Sequence, residues 1–289
     1  MPCCRVLEYR SGHDVAPSRR RPRGGMLRAM TAELHPTPED RSGTRALTKP
    51  DYTALEFPAA PADRPYVIVN MVASVDGKTV IAGTERGLGS AIDQQLLREL
   101  RFHADVVLNG AGTLRASGTS ALLNDGALEQ LRLDRGKPRT PVAAVLSASG
   151  NVPLDARFFT SRDFEATLYL ADSAPPERRA AIEATGRRVV TVPAGDASPA
   201  MLRHMRDHLG ARLVLLEGGP TLNGDFFRCG LVDELFLTLG ALVVGGAGLP
   251  SLVEMPGHTP TSETVQTLEL LAAVPNPATN EVYLRYRRR

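Results

Sequence analysis

Two carboxylates stand beside glycines in ways that suit chemistry on a bound ligand. In RLVLLEGGPTLNGDFFRCG an apolar run stops at Glu217, Gly218 and Gly219 follow, and Pro220 opens the next segment. Proline fits the first position of a helix, so the peptide reads as strand, glycine turn, helix. Two glycines there let a ligand approach the backbone with no Cβ in the way, and the helix's free amides suit a phosphate. Glu217 then stands at the carboxyl end of a strand, where open α/β sheets bind ligands. In NMVASVDGKT, Asp76-Gly77 follows another apolar run. Asp-Gly is ordinary turn chemistry, and the peptide alone does not separate that role from a catalytic one. In DVVLNGAGTLRASG, Gly110 and Gly112 follow a third run, and Thr113 is suited to capping a helix or binding an oxygen. Arg115 replaces the third glycine of a dinucleotide fingerprint, so this peptide does not by itself define a Rossmann domain. A fourth segment, VDELFLTLGALVVGGAG, runs from Asp233 and Glu234 into glycines.

Other chemistries are disfavoured. His204 and His208 lie four apart on an expected helix, but Met205 stands where a metalloprotease has glutamate, and two ligands fall short of a zinc site. They read as surface histidines, and no metal is expected. No H-x-E with P-C-x-x-C occurs, which excludes a zinc deaminase, and there is no nucleophile elbow or P-loop.

The elements that must position these residues alternate. YVIVNMVA, DVVLNG, PVAAVLS, ATLYLA, RRVVTV, RLVLLEGG and ELFLTLGALVVGG are apolar at both parities, as strands buried on both faces are. SAIDQQLLRELRFHA carries Ile92, Leu96, Leu97 and Leu100 on one stripe, with Ser90 and Asp93 spaced as a capping box. PERRAAIEATG and SPAMLRHMRDHLG end at glycines suited to helix C-termini. NEVYLRYRRR alternates with charge on one side, as an antiparallel edge strand does. The expectation is a three-layer α/β domain from residue 61 to 289, with a mostly parallel sheet between helices. Residues 1–60 are rich in Pro, Gly and Arg and poor in periodic apolar positions, so they read as a disordered extension.

Composition sets the class. Hydrophobic residues make up 43% and charged residues 23%, ordinary for a globular enzyme. A formal charge of +2 is too small to argue for nucleic acid, and aromatics at 5% with no tryptophan disfavour a stacking platform. Cys3, Cys4 and Cys229 form no readable disulfide framework, no apolar run reaches the ~20 residues of a membrane helix, and the start lacks a signal-peptide core. A cytoplasmic protein acting on a small molecule is expected.

Taken in order, ASVDG, GAGT, EGGPTL and LVDEL…VVGG resemble the C-terminal reductase domain of the RibD family of riboflavin-biosynthesis proteins, from about Arg64 to Arg289, as a monofunctional form without the deaminase domain. The resemblance implies a dihydrofolate-reductase-like fold, NADPH as cofactor, a homodimer, and reduction of the ribosyl group of a ribosylaminopyrimidine phosphate. It implies that Ala73, Gly110, Gly112, Thr113, Ser147, Ser149, Gly218, Gly219, Pro220, Thr221 and Leu222 contact the cofactor, with the two serines near its 2′-phosphate. Asn70 and Glu217 would contact substrate, and Asp76 and Glu217 are the candidates for handling a proton. The family pattern also departs here. Ser117, Gly118 and Thr119 stand where Asp-Asp-Pro is usual, Asn124 lies near an expected arginine, and Gly87 replaces a tryptophan. Arg86, Arg98, Arg101 and Arg115 are candidates for a replacement phosphate contact. The altered loop keeps two alternatives open: reduction of another heterocycle such as dihydrofolate or a pterin, and a nucleotide-binding module without turnover.

Overall fold

Strands buried on both faces need helices on both sides, and that requirement shapes the chain in the computed structural model, which describes residues 48–289. In order the elements are β1 (Tyr66–Ser74), α1 (Ala91–His103), β2 (Val106–Gly110), α2 (Ala111–Ser117), α3 (Gly126–Asp134), β3 (Val142–Ser147), α4 (Arg157–Thr160), β4 (Ala166–Ala171), α5 (Pro176–Glu183), β5 (Arg188–Val192), α6 (Ala197–Leu209), β6 (Leu213–Leu216), α7 (Pro220–Arg228), β7 (Glu234–Gly240), β8 (Leu268–Asn276) and β9 (Glu281–Arg288). One sheet holds them as β5-β4-β3-β2-β6-β1-β7-β9-β8. The pairs among β1 to β7 are parallel, and β9 runs antiparallel to both β7 and β8. The order reverses between β2 and β1, where β6 returns to fill the gap. Open α/β sheets form their crevices at such a point.

Alternate residues of each strand feed two cores. Ile68, Val107 and Leu215 face Leu96 and Leu100 of α1 and Phe158 and Phe159 of α4, whereas Val67, Val69, Val106 and Val214 face Met201 and Met205 of α6 and Phe226 of α7. The glycine after α6, Gly210, takes a left-handed conformation with φ 63°, which ends that helix as its sequence position implies.

Three expectations change. The C-terminal peptide forms β9, but β9 lies inside the sheet, and the edge strand is β8, whose apolar LELLAAV lacks the alternation that marks a strand with one wet face. Residues before 60 also pack into the domain. Tyr52 is 6% exposed and packs edge-on against Phe236 at 5.1 Å, and its backbone N–H donates to Glu99 at 3.0 Å. Two anchoring aromatics, Tyr52 and Phe57, outweigh the Pro-rich composition around them. The rest of the expected extension, residues 1–47, lies outside the described residues. Finally, the capping box at α1 is only half formed. The Ser90 hydroxyl accepts from the Ile92 and Asp93 amides as expected, but the Ser90 N–H donates at 2.6 Å to Glu281 of β9 and not to Asp93.

Candidate active site

The turns after β2 and β6 meet at the order reversal. The Gly110 N–H donates to the Gly218 carbonyl at 2.8 Å, and the Glu217 N–H donates to the Leu108 carbonyl at 2.9 Å. Space there is short: a Cβ on Gly219 would lie 3.1 Å from the Thr113 hydroxyl. The glycines are therefore what allow the two turns to share one floor. The peptide between Gly218 and Gly219 is cis. Above this floor lies a cavity of about 940 Å³ over the carboxyl ends of β3, β2, β6 and β1.

One wall is built of backbone and hydroxyls. Gly110, Gly112 and Thr113 come from the β2–α2 turn, Ser147 and Ser149 from the end of β3, and Gly219, Pro220, Thr221 and Leu222 from the start of α7. The first-turn amides of a helix have no intrahelical acceptor, so the α7 terminus presents donors to an anion. At the serine end, Arg115 spans the rim, donating from Nη1 to the Asn151 carbonyl at 2.7 Å. The Ser147 hydroxyl accepts from the Gly150 amide at 3.0 Å and so shapes that turn. Glycine turns, a helix terminus and a cation at one end fit a dinucleotide phosphate better than any apolar ligand.

The opposite wall carries the charged side chains. Glu217 and Arg101 form a two-pronged pair, with Nε to Oε1 at 2.6 Å and Nη2 to Oε2 at 2.7 Å. The Nη1 of Arg101 donates to the Leu122 carbonyl at 2.7 Å. Burial would lower the Arg101 pKa, but the charge of Glu217 and its hydrogen bonds outweigh that and raise it. Arg101 is held from behind by Arg132 of α3, whose Nη1 donates to the carbonyls of Arg101, Phe102 and Ala104 at 3.0, 2.8 and 2.7 Å. That cation sits at the α1 C-terminus, where unpaired carbonyls and the helix dipole both favour it. Asp93, Gln94, Leu97, Thr79, Val80 and Glu85 complete this side.

Most of the expected site residues come together here: Asn70, Gly110, Gly112, Thr113, Ser147, Ser149, Glu217, Gly219, Pro220, Thr221 and Leu222 all line the cavity. Three do not. Ala73 is fully buried within the sheet, paired with Leu239 of β7. Gly218 lies under the floor, its carbonyl committed to Gly110. Asp76 is turned away, because the peptide after β1 bends toward residues 242–245. Its carboxylate accepts from the Ser74 hydroxyl at 2.6 Å and from the Val244 and Gly245 amides at 3.0 and 2.7 Å. Those bonds, the Ser74 one foremost, hold its carboxyl down to about 2. The four arginines also sort themselves: Arg101 and Arg115 reach the cavity, and Arg86 and Arg98 do not line it. Within the altered loop, the buried Thr119 hydroxyl lines the cavity side and has no hydrogen-bond partner. Asp93 escaped sequence reading because capping explained it. His204 and His208 stack on each other at 4.5 Å, and Tyr169 meets His204 Nδ1 at 3.0 Å, away from this cavity.

Sheet order, the two covered faces and the cavity at the reversal define a three-layer α/β domain with its ligand site at the switch point of the sheet. A family model described as the RibD C-terminal domain matches residues 65–272. The chain belongs to the RibD C-terminal domain family. A 2,5-diamino-6-ribosylamino-4(3H)-pyrimidinone 5′-phosphate reductase of Aquifex aeolicus is 30% identical over 203 residues, covering 66% of this chain and 83% of that protein. A protein of the same name from Methanothermobacter thermautotrophicus is 29% identical, covering 72% and 91%. Among solved structures, a pyrimidine reductase-like protein of Corynebacterium diphtheriae superposes with a TM-score of 0.69 at 20% identity, over 78% of this chain and 93% of that one. Acinetobacter baumannii RibD does so with a TM-score of 0.63 at 19% identity, over 79% and 59%. At those identities the structural likeness speaks for the fold.

Proposed function

We propose that this chain is an NADPH-dependent reductase that converts the ribosyl group of a ribosylaminopyrimidinone 5′-phosphate to ribityl, acting as a cytoplasmic homodimer. The carrying observation is the division of one cavity into a backbone wall suited to a dinucleotide and a facing wall that holds the Glu217–Arg101 pair. Family membership and the names of the Aquifex and Methanothermobacter relatives support the substrate class. The glycine turn, Thr113 and the α7 terminus would hold the pyrophosphate. Ser147, Ser149 and Arg115 would hold the adenosine end, where Arg115 favours a 2′-phosphate over a bare hydroxyl.

NADPH would supply the hydride; reduction at C1′ of the ribosyl group would open its bond to the ring oxygen, and that oxygen would take a proton. The chain's own task is orientation and charge. Glu217, clamped on both oxygens by Arg101, keeps a fixed carboxylate edge for substrate N–H or hydroxyl donors. The apolar side chains of Val80, Leu97 and Leu146 limit water in the cavity.

The test is thermal stabilisation by NADPH and NADH, followed by NADPH oxidation with the diaminopyrimidinone substrate. Saturation at a hundredfold over Kd adds about 2.7 kcal/mol of stability, so a larger shift with NADPH is the expected result. No shift with either would end the reductase reading.

One observation favours a second reading, reduction of a heterocycle that carries no phosphate. Among the described residues lining the substrate wall, Arg101 is the one cation, and its fork is already occupied by Glu217 and Leu122. Comparing phosphorylated and dephosphorylated substrate decides between them.

A further inference from the structure

Arg132, on α3, is 1% exposed and still charged at neutral pH, since burial brings its pKa down only to about 10. No carboxylate forms an ion pair with it. The acid whose charge reaches it, Asp105, is taken by Lys137 at 2.7 Å and by the Arg212 and Leu213 amides at 2.8 and 3.0 Å. A buried cation of this kind is costly unless its donors are used.

Those donors are used on the end of one helix. An α-helix leaves the carbonyls of its last turn without intrahelical partners. At the end of α1, Arg132 Nη1 donates to the carbonyls of Arg101, Phe102 and Ala104 at 3.0, 2.8 and 2.7 Å. Lys137 Nζ takes the carbonyl between them, that of His103, at 2.6 Å. Arg132 Nε donates to the Pro138 carbonyl at 2.9 Å, and Arg135 lays its guanidinium 4.3 Å from the centre of the Phe102 ring. Three cations from α3 and the turn after it therefore close on the last turn of α1.

The tie runs in both directions. Arg101 stands in that last turn, and its Nη1 donates at 2.7 Å to Leu122 in the segment leading into α3. Its Nε and Nη2 hold the two oxygens of Glu217. Each helix thus carries an arginine that grips main chain of the other, and Glu217 is fixed to the cavity side of this double grip. If water satisfied the end of α1 instead, the Arg101 peptide would be free to shift, and a displacement of about 1 Å is enough to cost catalysis heavily. We propose that Arg132 is a positioning residue: by fixing the Arg101 peptide it sets where the Glu217 carboxylate stands in the cavity. None of its hydrogen bonds reaches the wall of glycine turns and the α7 terminus. The inference rests on the reductase reading for the step that Glu217 serves.

The test is a double-mutant cycle of Arg132→Met with Glu217→Gln in the full chain, reading kcat/KM with NADPH and the ribosyl phosphate, and thermal stabilisation by NADPH. Arg132→Met should lower kcat/KM by about tenfold or more alone, and by no more than about twofold in the Glu217→Gln background, because groups that act as a unit are lost only once. The NADPH shift should be unchanged, and Arg132→Lys, which keeps donors for the carbonyls, should recover part of the loss. Equal fold losses in the two backgrounds, the result of a purely structural role, overturn the proposal, as does a weakened NADPH shift. A second readout needs no turnover. The Arg101 Nε–H, held by Glu217, should exchange with solvent about tenfold faster in Arg132→Met by nitrogen-15 NMR, and an unchanged rate overturns the proposal. Wild-type protein with no turnover overturns the reductase reading and leaves the exchange rate to decide this one. Arg132→Lys and Lys137→Met carry both readouts should Arg132→Met fail to fold.

Discussion

Glu217 was legible as a candidate from a strand end, two glycines and a proline, but its partner was not. Arg101 lies 116 residues earlier, and no local spacing announces a pair that only the β6–α1 packing creates. Glu217→Gln should strand a buried guanidinium and cost about 3 kcal/mol, because removing one member of such a pair leaves the other uncompensated. It should also lower kcat/KM by about a hundredfold, a loss of roughly 2.7 kcal/mol in transition-state binding. Arg101→Lys keeps the charge but loses the fork, so its turnover should resemble that of Glu217→Gln while its stability loss is smaller. Denaturant unfolding and NADPH-oxidation kinetics check both. Asp76 read as a turn residue from its own peptide and as a proton-handling candidate from the family resemblance, yet the structure commits its carboxylate to the loop. Its carboxyl is depressed to about 2, so the anchor on Val244 and Gly245 is complete above its ordinary value of 3.8 and is lost as pH falls through about 2. Asp76→Ala should speed hydrogen exchange at those two amides at neutral pH. Retained turnover would mark Asp76 as a loop anchor, and abolished turnover with the loop intact would mark it as catalytic.

The helix α1 shows how an element's sequence can be read correctly and its side chains misassigned. Its apolar stripe and Ser90 cap form as expected, because both depend on residues within one or two turns. The acid of the capping box comes instead from β9, which chain-local reasoning does not bring near. Asp93 consequently carries a cost of burial that varies with pH. Its folded value of about 6 lies above the ordinary 3.8, so its contribution to stability is full below about pH 4 and is lost as pH rises through about 6. Asp93→Asn should therefore be more stable than wild type at pH 8, by about 2 kcal/mol, with no gain at pH 4. Thermal melts at the two pH values measure this. The edge strand has a related history: β8 was unread because its apolar run matches no one-sided alternation, whereas β9 alternates and was placed one position too far out.

For the whole molecule, two consequences follow from the surface and the chain's beginning. The outer strand β8 leaves Leu270 52% exposed, and Val265 just before it is 60% exposed. An apolar edge of this kind needs a cover, and it suits the proposed homodimer. Leu270→Lys is expected to shift the protein toward monomer in light scattering while leaving the cavity side intact. A protein starting at residue 61 loses Tyr52, Phe57 and the Lys49–Glu99 pair, so it should be less stable than one starting at residue 48 by at least about 3 kcal/mol. Calorimetry of the two truncations tests that difference. The sequence by itself determined the class of fold, because apolar runs at both parities, helix stripes and glycine stops are local signals of burial and chain direction. It also determined most of the cavity's backbone wall, since glycines at strand ends act where they stand. Tertiary structure alone decided which carboxylates face the cavity. It paired Glu217 with Arg101, turned Asp76 toward the residue 242–245 loop, and gave Ser90 the carboxylate of Glu281 in place of that of Asp93. Each of those outcomes depends on groups brought together across a hundred or more residues, where sequence spacing carries no information about distance.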